Sequence, residues 1–304
     1  MKKRVVLLII LSFLLVCTCL LLAINYKLEY YLGAIKNIIV STEPQHSEEY
    51  IRDDLQYGPL QLEDQFSYAV AEAAADLIIR LSSKIEPPEG LQLLRTLCFS
   101  GNPIGQVLTD PTGRLWFVFR GTATKKEWEQ DFNFQQTMFN VGEDSYLCSQ
   151  GFVQIFNGFR DEIEDLLKNL SCEVVVTGHS LGSALATLCV GLLANHKSVT
   201  RLKCYTFGGP RVCYDLVIPS GVDIWRINNT CDIVQQLPLA VMWNFTRCSQ
   251  TFKYAHTGHL VVFTSHRDTL QDNHTMPVYI EALRDHSLLV PESIPTPNCS
   301  GKEH

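Results

Sequence analysis

A chain of 304 residues with 25 basic and 32 acidic side chains has a net charge of −7 and no basic run, which excludes a nucleic-acid partner held by phosphate neutralisation. Hydrophobic residues make up 46% of the chain, enough for one well-filled domain of about 260 residues once the N-terminus is set aside. The eleven cysteines contain no Cys-x-x-Cys pair, which argues against a zinc or thioredoxin-like site and implies no metal.

Val5 to Ile24 is an uncharged run behind Lys2, Lys3 and Arg4, long enough to span a bilayer as a helix and longer than a secretory h-region. It reads as a signal anchor over 1–24 with its N-terminus cytoplasmic, followed by a polar, acidic stalk over 25–60 and a single domain over 61–304. The expectation is a single-pass membrane protein whose domain is lumenal or extracellular, with a secreted form as the alternative. Sequons beginning at Asn169, Asn228, Asn244, Asn273 and Asn298 agree with export.

Within 62–82, Phe66, Ala69, Val70, Ala73, Leu77 and Leu81 recur at helical spacing and predict an amphipathic helix over one sheet face. Gly105–Thr109 and Leu115–Phe119, joined by Asp110-Pro111-Thr112-Gly113, read as a hairpin. Gly121 ends the second strand, and 122–136, with Trp128 and Phe132 among charges, is a surface helix or a lid. A helix over Gly151–Leu170 leads to a β-branched strand, Glu173–Thr177, and a helix of small residues follows from Ser183 to Ala194. Two more strands, 202–207 and 222–227, a loop containing Asp232, and a last strand, 260–263, precede His266, His274 and His286.

Between the β-branched strand and the small-residue helix lies Gly178-His179-Ser180-Leu181-Gly182. Strand, sharp glycine turn and helix together make a nucleophile elbow, which presents the serine hydroxyl at the carboxyl edge of a sheet. A serine needs a base to take its proton and an acid to orient that base. Asp232, in a loop after a later strand, stands where the order Ser, Asp, His places the acid. The N–H of Leu181, directly after the serine, is a natural donor to a developing oxyanion.

Several ordered blocks resemble the class 3 lipases, the fungal-lipase-like branch of the α/β-hydrolases. They are Phe119-Arg120-Gly121-Thr122 with Trp128 and Asp131, Gln150-Gly151-Phe152, Thr177–Gly182, Tyr205–Val212, Asp232-Ile233-Val234 with Leu237-Pro238, and Tyr254–Gly258. The resemblance implies an α/β-hydrolase fold, with a mostly parallel central sheet and helices on both faces. It also implies a serine hydrolase cleaving carboxylic esters of lipids, either acylglycerols or phospholipid acyl chains, without a cofactor. Ser180 would be the nucleophile, Asp232 the orienting acid, Thr122 with Leu181 the oxyanion hole, and 122–136 the lid. For the base it favours His274, which opens a His, Met, Tyr pattern, over His286, which follows Asp285. Three departures stand out, namely Gln150 in place of His, Ser183 in place of Gly, and Gly209 in place of a polar residue. The alternative is a catalytically idle lipid- or partner-binding protein on the same scaffold.

Overall fold

A computed structural model describes residues 47–55, 57, 60, 62–124, 127, 133–168, 170–243 and 251–290. The segment 5–24, most of the expected stalk and the lid residues Trp128 and Phe132 therefore lie outside the described residues. Among the described residues no helix is long and apolar enough to cross a membrane.

Seven strands form one sheet: β1 (Gln92–Phe99), β2 (Asn102–Thr109), β3 (Leu115–Phe119), β6 (Cys172–His179), β7 (Val199–Phe207), β8 (Asp223–Asn229) and β11 (His259–Phe263), side by side in that order. The first three pair antiparallel and β3 through β11 pair in parallel, so the sheet is mostly parallel, as expected. Every residue of the central β3 is buried because both faces of its sheet are covered. On one face α1 (Tyr68–Ser82) and α5 (Met276–Arg284) pack with Trp116, Val118, Val175, Tyr205 and Ile227. On the other, α2 (Gln150–Asn157), α3 (Arg160–Leu167) and α4 (Leu181–Leu193) pack with Phe117, Val174, Val176 and Cys204. Each large apolar side chain so enclosed contributes about 1.5–3 kcal/mol.

The elements depart from the sequence reading in instructive places. The single helix expected over 151–170 is two, because Gly158 and the inward-turned Phe159 interrupt it and Asp161 and Glu162 favour a fresh N-terminus. The first helix begins only at Tyr68, where the Ser67 hydroxyl accepts the Val70 N–H. Two hairpins had no clear sequence signal: β4 (Gln136–Val141) with β5 (Asp144–Ser149), and the short β9 (Val241–Trp243) with β10 (Thr251–Lys253). A disulfide joins Cys148, in β5, to Cys213, while Cys189 and Cys204 are buried free thiols in the core.

The end of the expected stalk is not a linker. Tyr57 is buried edge-on against Trp116 and donates to Asp76, the Arg52 N–H binds the same carboxylate at 2.9 Å, and Tyr50 reaches Glu281 at 2.9 Å. Asp76 is itself buried with Arg80 one turn away at 2.7 Å, so residues from about 50 onward belong to the folded body. Two sequons are also closed to glycans: Asn228 lies inside β8, and Asn273 is buried with both ends of its amide hydrogen-bonded.

Candidate active site

The elbow forms because two backbones touch. A Cβ on Gly178 would lie 2.1 Å from the Gly182 carbonyl oxygen, and one on Gly182 would lie 2.3 Å from that of Phe119. Only glycine fits at either place, and the squeeze leaves Ser180 at φ 55° and ψ −122°, a region that costs a non-glycine residue about 1–3 kcal/mol. Ser180 thereby caps α4, and Leu181 is its first residue, where a backbone N–H has no carbonyl one turn back to bind.

Three side chains distant in sequence meet at this turn. Ser180 Oγ is 2.8 Å from His274 Nε2, and His274 Nδ1 is 2.6 Å from Asp232 Oδ2. The imidazole and the carboxylate have no solvent exposure. Because the carboxylate accepts at Nδ1, that nitrogen carries the proton and Nε2 is left to accept from the serine. Asp232 is fully engaged: Tyr279 donates to Oδ2 at 2.5 Å and the Val234 N–H to Oδ1 at 2.9 Å. Burial, followed by the charge of Asp232, pushes the Tyr279 phenol well up, so it stays a donor.

His274 rather than His286 occupies the position next to Ser180. His286 sits far from the elbow, exposed, with its ring 4.3 Å from that of Tyr68. His256 binds the Gln235 carbonyl at 2.9 Å, a structural position.

Four supporting residues had no usable signal in the sequence. Asn229, fully buried, ties the start of the Asp232 loop to the segment that carries His274: its amide donates to Ser265 O at 2.8 Å and Asn273 O at 3.1 Å. His179 Nε2 lies 2.7 Å from the His274 carbonyl and donates to it. Burial, reinforced by the charge of neighbouring His274, holds His179 well below the usual histidine range, so it adds no cation beside His274.

Arg120 and Glu127 order the loop that contains Thr122. The Glu127 carboxylate, wholly buried, takes both Arg120 Nη1 and Nη2 at 2.9 Å, then the N–H groups of Ala123 at 2.8 Å and Thr124 at 3.3 Å. Arg120 Nη1 also binds the Gly121 carbonyl at 2.7 Å. In a planar trans peptide the carbonyl and the following N–H point in opposite directions, so this bond sets the direction of the Thr122 N–H. Beside the loop lies a cavity of about 320 Å³, lined by Gly121, Thr122, His179 and Met276 together with Ile79 and Lys84.

The departures at Ser183 and Gly209 are one feature. The Ser183 hydroxyl is 2.7 Å from Gly178 O and 2.9 Å from Phe207 O, donating its single proton to one of them, and accepts the Phe207 N–H at 3.2 Å. It thus fastens the elbow to β7. A Cβ on Gly209 would lie 2.7 Å from the Ser183 Cβ, so there is room for one side chain between the two positions and here it stands on Ser183. Gln150, the third departure, opens α2, where its N–H binds Gln135 O at 2.7 Å.

The model of the family described as lipase (class 3) matches residues 116–242, from β3 through the elbow and the Asp232 loop to β9. Over that stretch the chain is similar to the class 3 lipases. A Caenorhabditis elegans protein named lipase ZK262.3 is 27% identical over 210 residues, covering 62% of this chain and 58% of the relative. A secreted mono- and diacylglycerol lipase A from Penicillium cyclopium is 33% identical over 148 residues, covering 45% and 48%. The chain therefore spans between about half and three fifths of these relatives' own lengths. Among solved structures, a triacylglycerol lipase from Penicillium expansum superposes with a TM-score of 0.55 at 15% identity over 74% of this chain and 84% of that one, a likeness of fold.

Proposed function

We propose that this protein hydrolyses carboxylic esters of lipids, with Ser180 as nucleophile, His274 as general base and then acid, and Asp232 as the orienting acid. The observation that carries the reading is the unbroken chain of short contacts, 2.8 Å from Ser180 to His274 and 2.6 Å from His274 to Asp232. His274 takes the serine proton as Oγ attacks the ester carbonyl, and Asp232 stabilises the imidazolium that forms. The N–H groups of Leu181 and Thr122 receive the negative oxygen, the first at the N-terminus of α4, the second on the loop braced by Arg120 and Glu127. His274 then gives its proton to the leaving alcohol, and water repeats the sequence on the acyl-enzyme. The adjoining cavity is of a size to take part of a small ligand.

The relatives' printed names include an acylglycerol lipase and a phospholipase A(1), so both acylglycerols and phospholipids are candidate substrates, and the secreted relative favours export of this domain; the apolar run at 5–24 would hold it at a membrane surface. A fluorophosphonate probe should label the wild type and leave Ser180→Ala unlabelled, with the variant folded. Labelling of both proteins, or of neither, would remove Ser180 from the role. A panel of tri-, di- and monoacylglycerols and phospholipids then defines the substrate class, and removal of residues 1–40 should lower hydrolysis of membrane lipid while sparing a soluble short-chain ester.

A further inference from the structure

Away from the triad, three basic side chains collect where β8 is covered by the turn that follows Asp232. Alternation along β8 puts Arg226 on the same face as Ile224, which packs in the cluster containing Val212 and Cys213. Arg211 immediately precedes those residues, its N–H on Leu237 O at 2.7 Å and its Nη1 on the carbonyls of Gln236 and Pro238. The Ala255 N–H binds Cys213 O at 2.9 Å and brings in His256, which donates to Gln235 O. Arg211 and His256 thus clasp successive carbonyls of one turn, 235–238, with Arg226 beside them.

Arg226 has no counterpart in this arrangement. Its Nε is enclosed and meets no acceptor, and among the described residues neither Arg226 nor Arg211 has a carboxylate partner. Burial and then the charge of Arg211 lower Arg226 to about 10, and burial followed by the charges of Arg226 and Arg211 lowers His256 to about 4. A guanidinium taken from water without an acceptor is a net cost to the fold, and it persists most economically where an acceptor arrives from outside.

We propose that Arg226, with Arg211 beside it, forms a binding site for an oxyanion, a carboxylate or a phosphate, distinct from the catalytic centre. The planar fork of Arg226 matches two oxygens of one such group, which neither chloride nor a neutral lipid offers. The occupant would brace the turn leading out of the Asp232 loop. A carboxylate would be the acid released by ester hydrolysis, and a phosphate would come from a lipid head group or from solution. The site stands whether or not the triad assignment does.

Thermal unfolding of the full-length protein tests it, with sodium phosphate or sodium octanoate added against sodium chloride of equal ionic strength. At about 100 times the dissociation constant, the ligand should raise Tm by about 5–10 °C. Arg226→Met should abolish that rise, and in chloride it should unfold no earlier than the wild type, because it removes a half-buried charge whose Nε has no acceptor. A rise with octanoate alone identifies the released acid, and a rise with phosphate alone identifies the phosphate source. No rise with either anion, or an equal rise in Arg226→Met, overturns the proposal. Should Arg226→Met fail to fold, calorimetric titration of the wild type and of Arg226→Lys decides: no heat of binding, or equal affinity in both, overturns it.

Discussion

Asp232 and Arg226 stand on one strand and its following loop, the first wholly buried and the second partly so, yet they are treated in opposite ways. The carboxylate receives three donors, from His274, Tyr279 and the Val234 N–H, which engage both of its oxygens. The Nε of the guanidinium, enclosed, meets no acceptor among the described residues. A charge that must stay fixed while a proton moves beside it is held by preorganised dipoles, so it need not reorganise during reaction. A charge left unsatisfied is instead a capacity for a ligand. The loop over 120–124 belongs to the first kind, with the Gly121 carbonyl bound by Arg120 and the Ala123 and Thr124 N–H groups bound by Glu127. The contrast separates parts of the molecule that are complete from a part that awaits an occupant.

The most severe break of the saturated side is Asp232→Asn. It keeps the shape but replaces an acceptor with an amide, so His274 loses its tautomer, and kcat on a soluble p-nitrophenyl ester should fall by about 10⁴-fold. A fall of only a few-fold would mean that Asp232 does not orient the base. Glu127→Gln should be next. Its amide cannot accept from Arg120 and from the loop N–H groups together, so the Thr122 N–H loses its aim, and kcat should fall by about 10²-fold with KM little changed. A rise in KM with kcat intact would make Glu127 a substrate-site residue instead.

Smaller effects sharpen the comparison. Gly209→Ser should destabilise by about 1–3 kcal/mol by crowding Ser183, and Ser183→Gly introduced with it should recover most of that, measured by urea unfolding as a double-mutant cycle. Simple additivity of the two changes would show that the positions do not share one space. The smallest effect lies at His256, whose folded value of about 4 is below the 6.5 of a free imidazole. Between those values the unfolded chain binds the proton more readily, so stability falls as pH drops from about 6.5 to about 4. His256→Gln should reduce that slope in urea midpoints followed across the window, leaving the part due to His179, which is lowered in the same direction.

What the sequence by itself determined is what depends on neighbours along the chain. Glycines two residues either side of Ser180, a β-branched run before and small residues after, dictate the elbow, because the close approach of strand and helix is a local steric event. Runs of apolar residues dictated the parallel strands, and the order of blocks was enough to name the family and point to Asp232. It could rank His274 over His286 only by resemblance, since both follow the last strand and nothing local distinguishes them. Tertiary structure alone brought His274 to Ser180, through Asn229 tying two loops together and His179 holding the base's carbonyl. It alone made Ser183 and Gly209 one feature, folded the end of the expected stalk onto α1, and left the Arg226 Nε without an acceptor among the described residues. Each of these is a contact between residues far apart in the chain, and whether a polar group finds its partner is settled only when the elements that carry them pack.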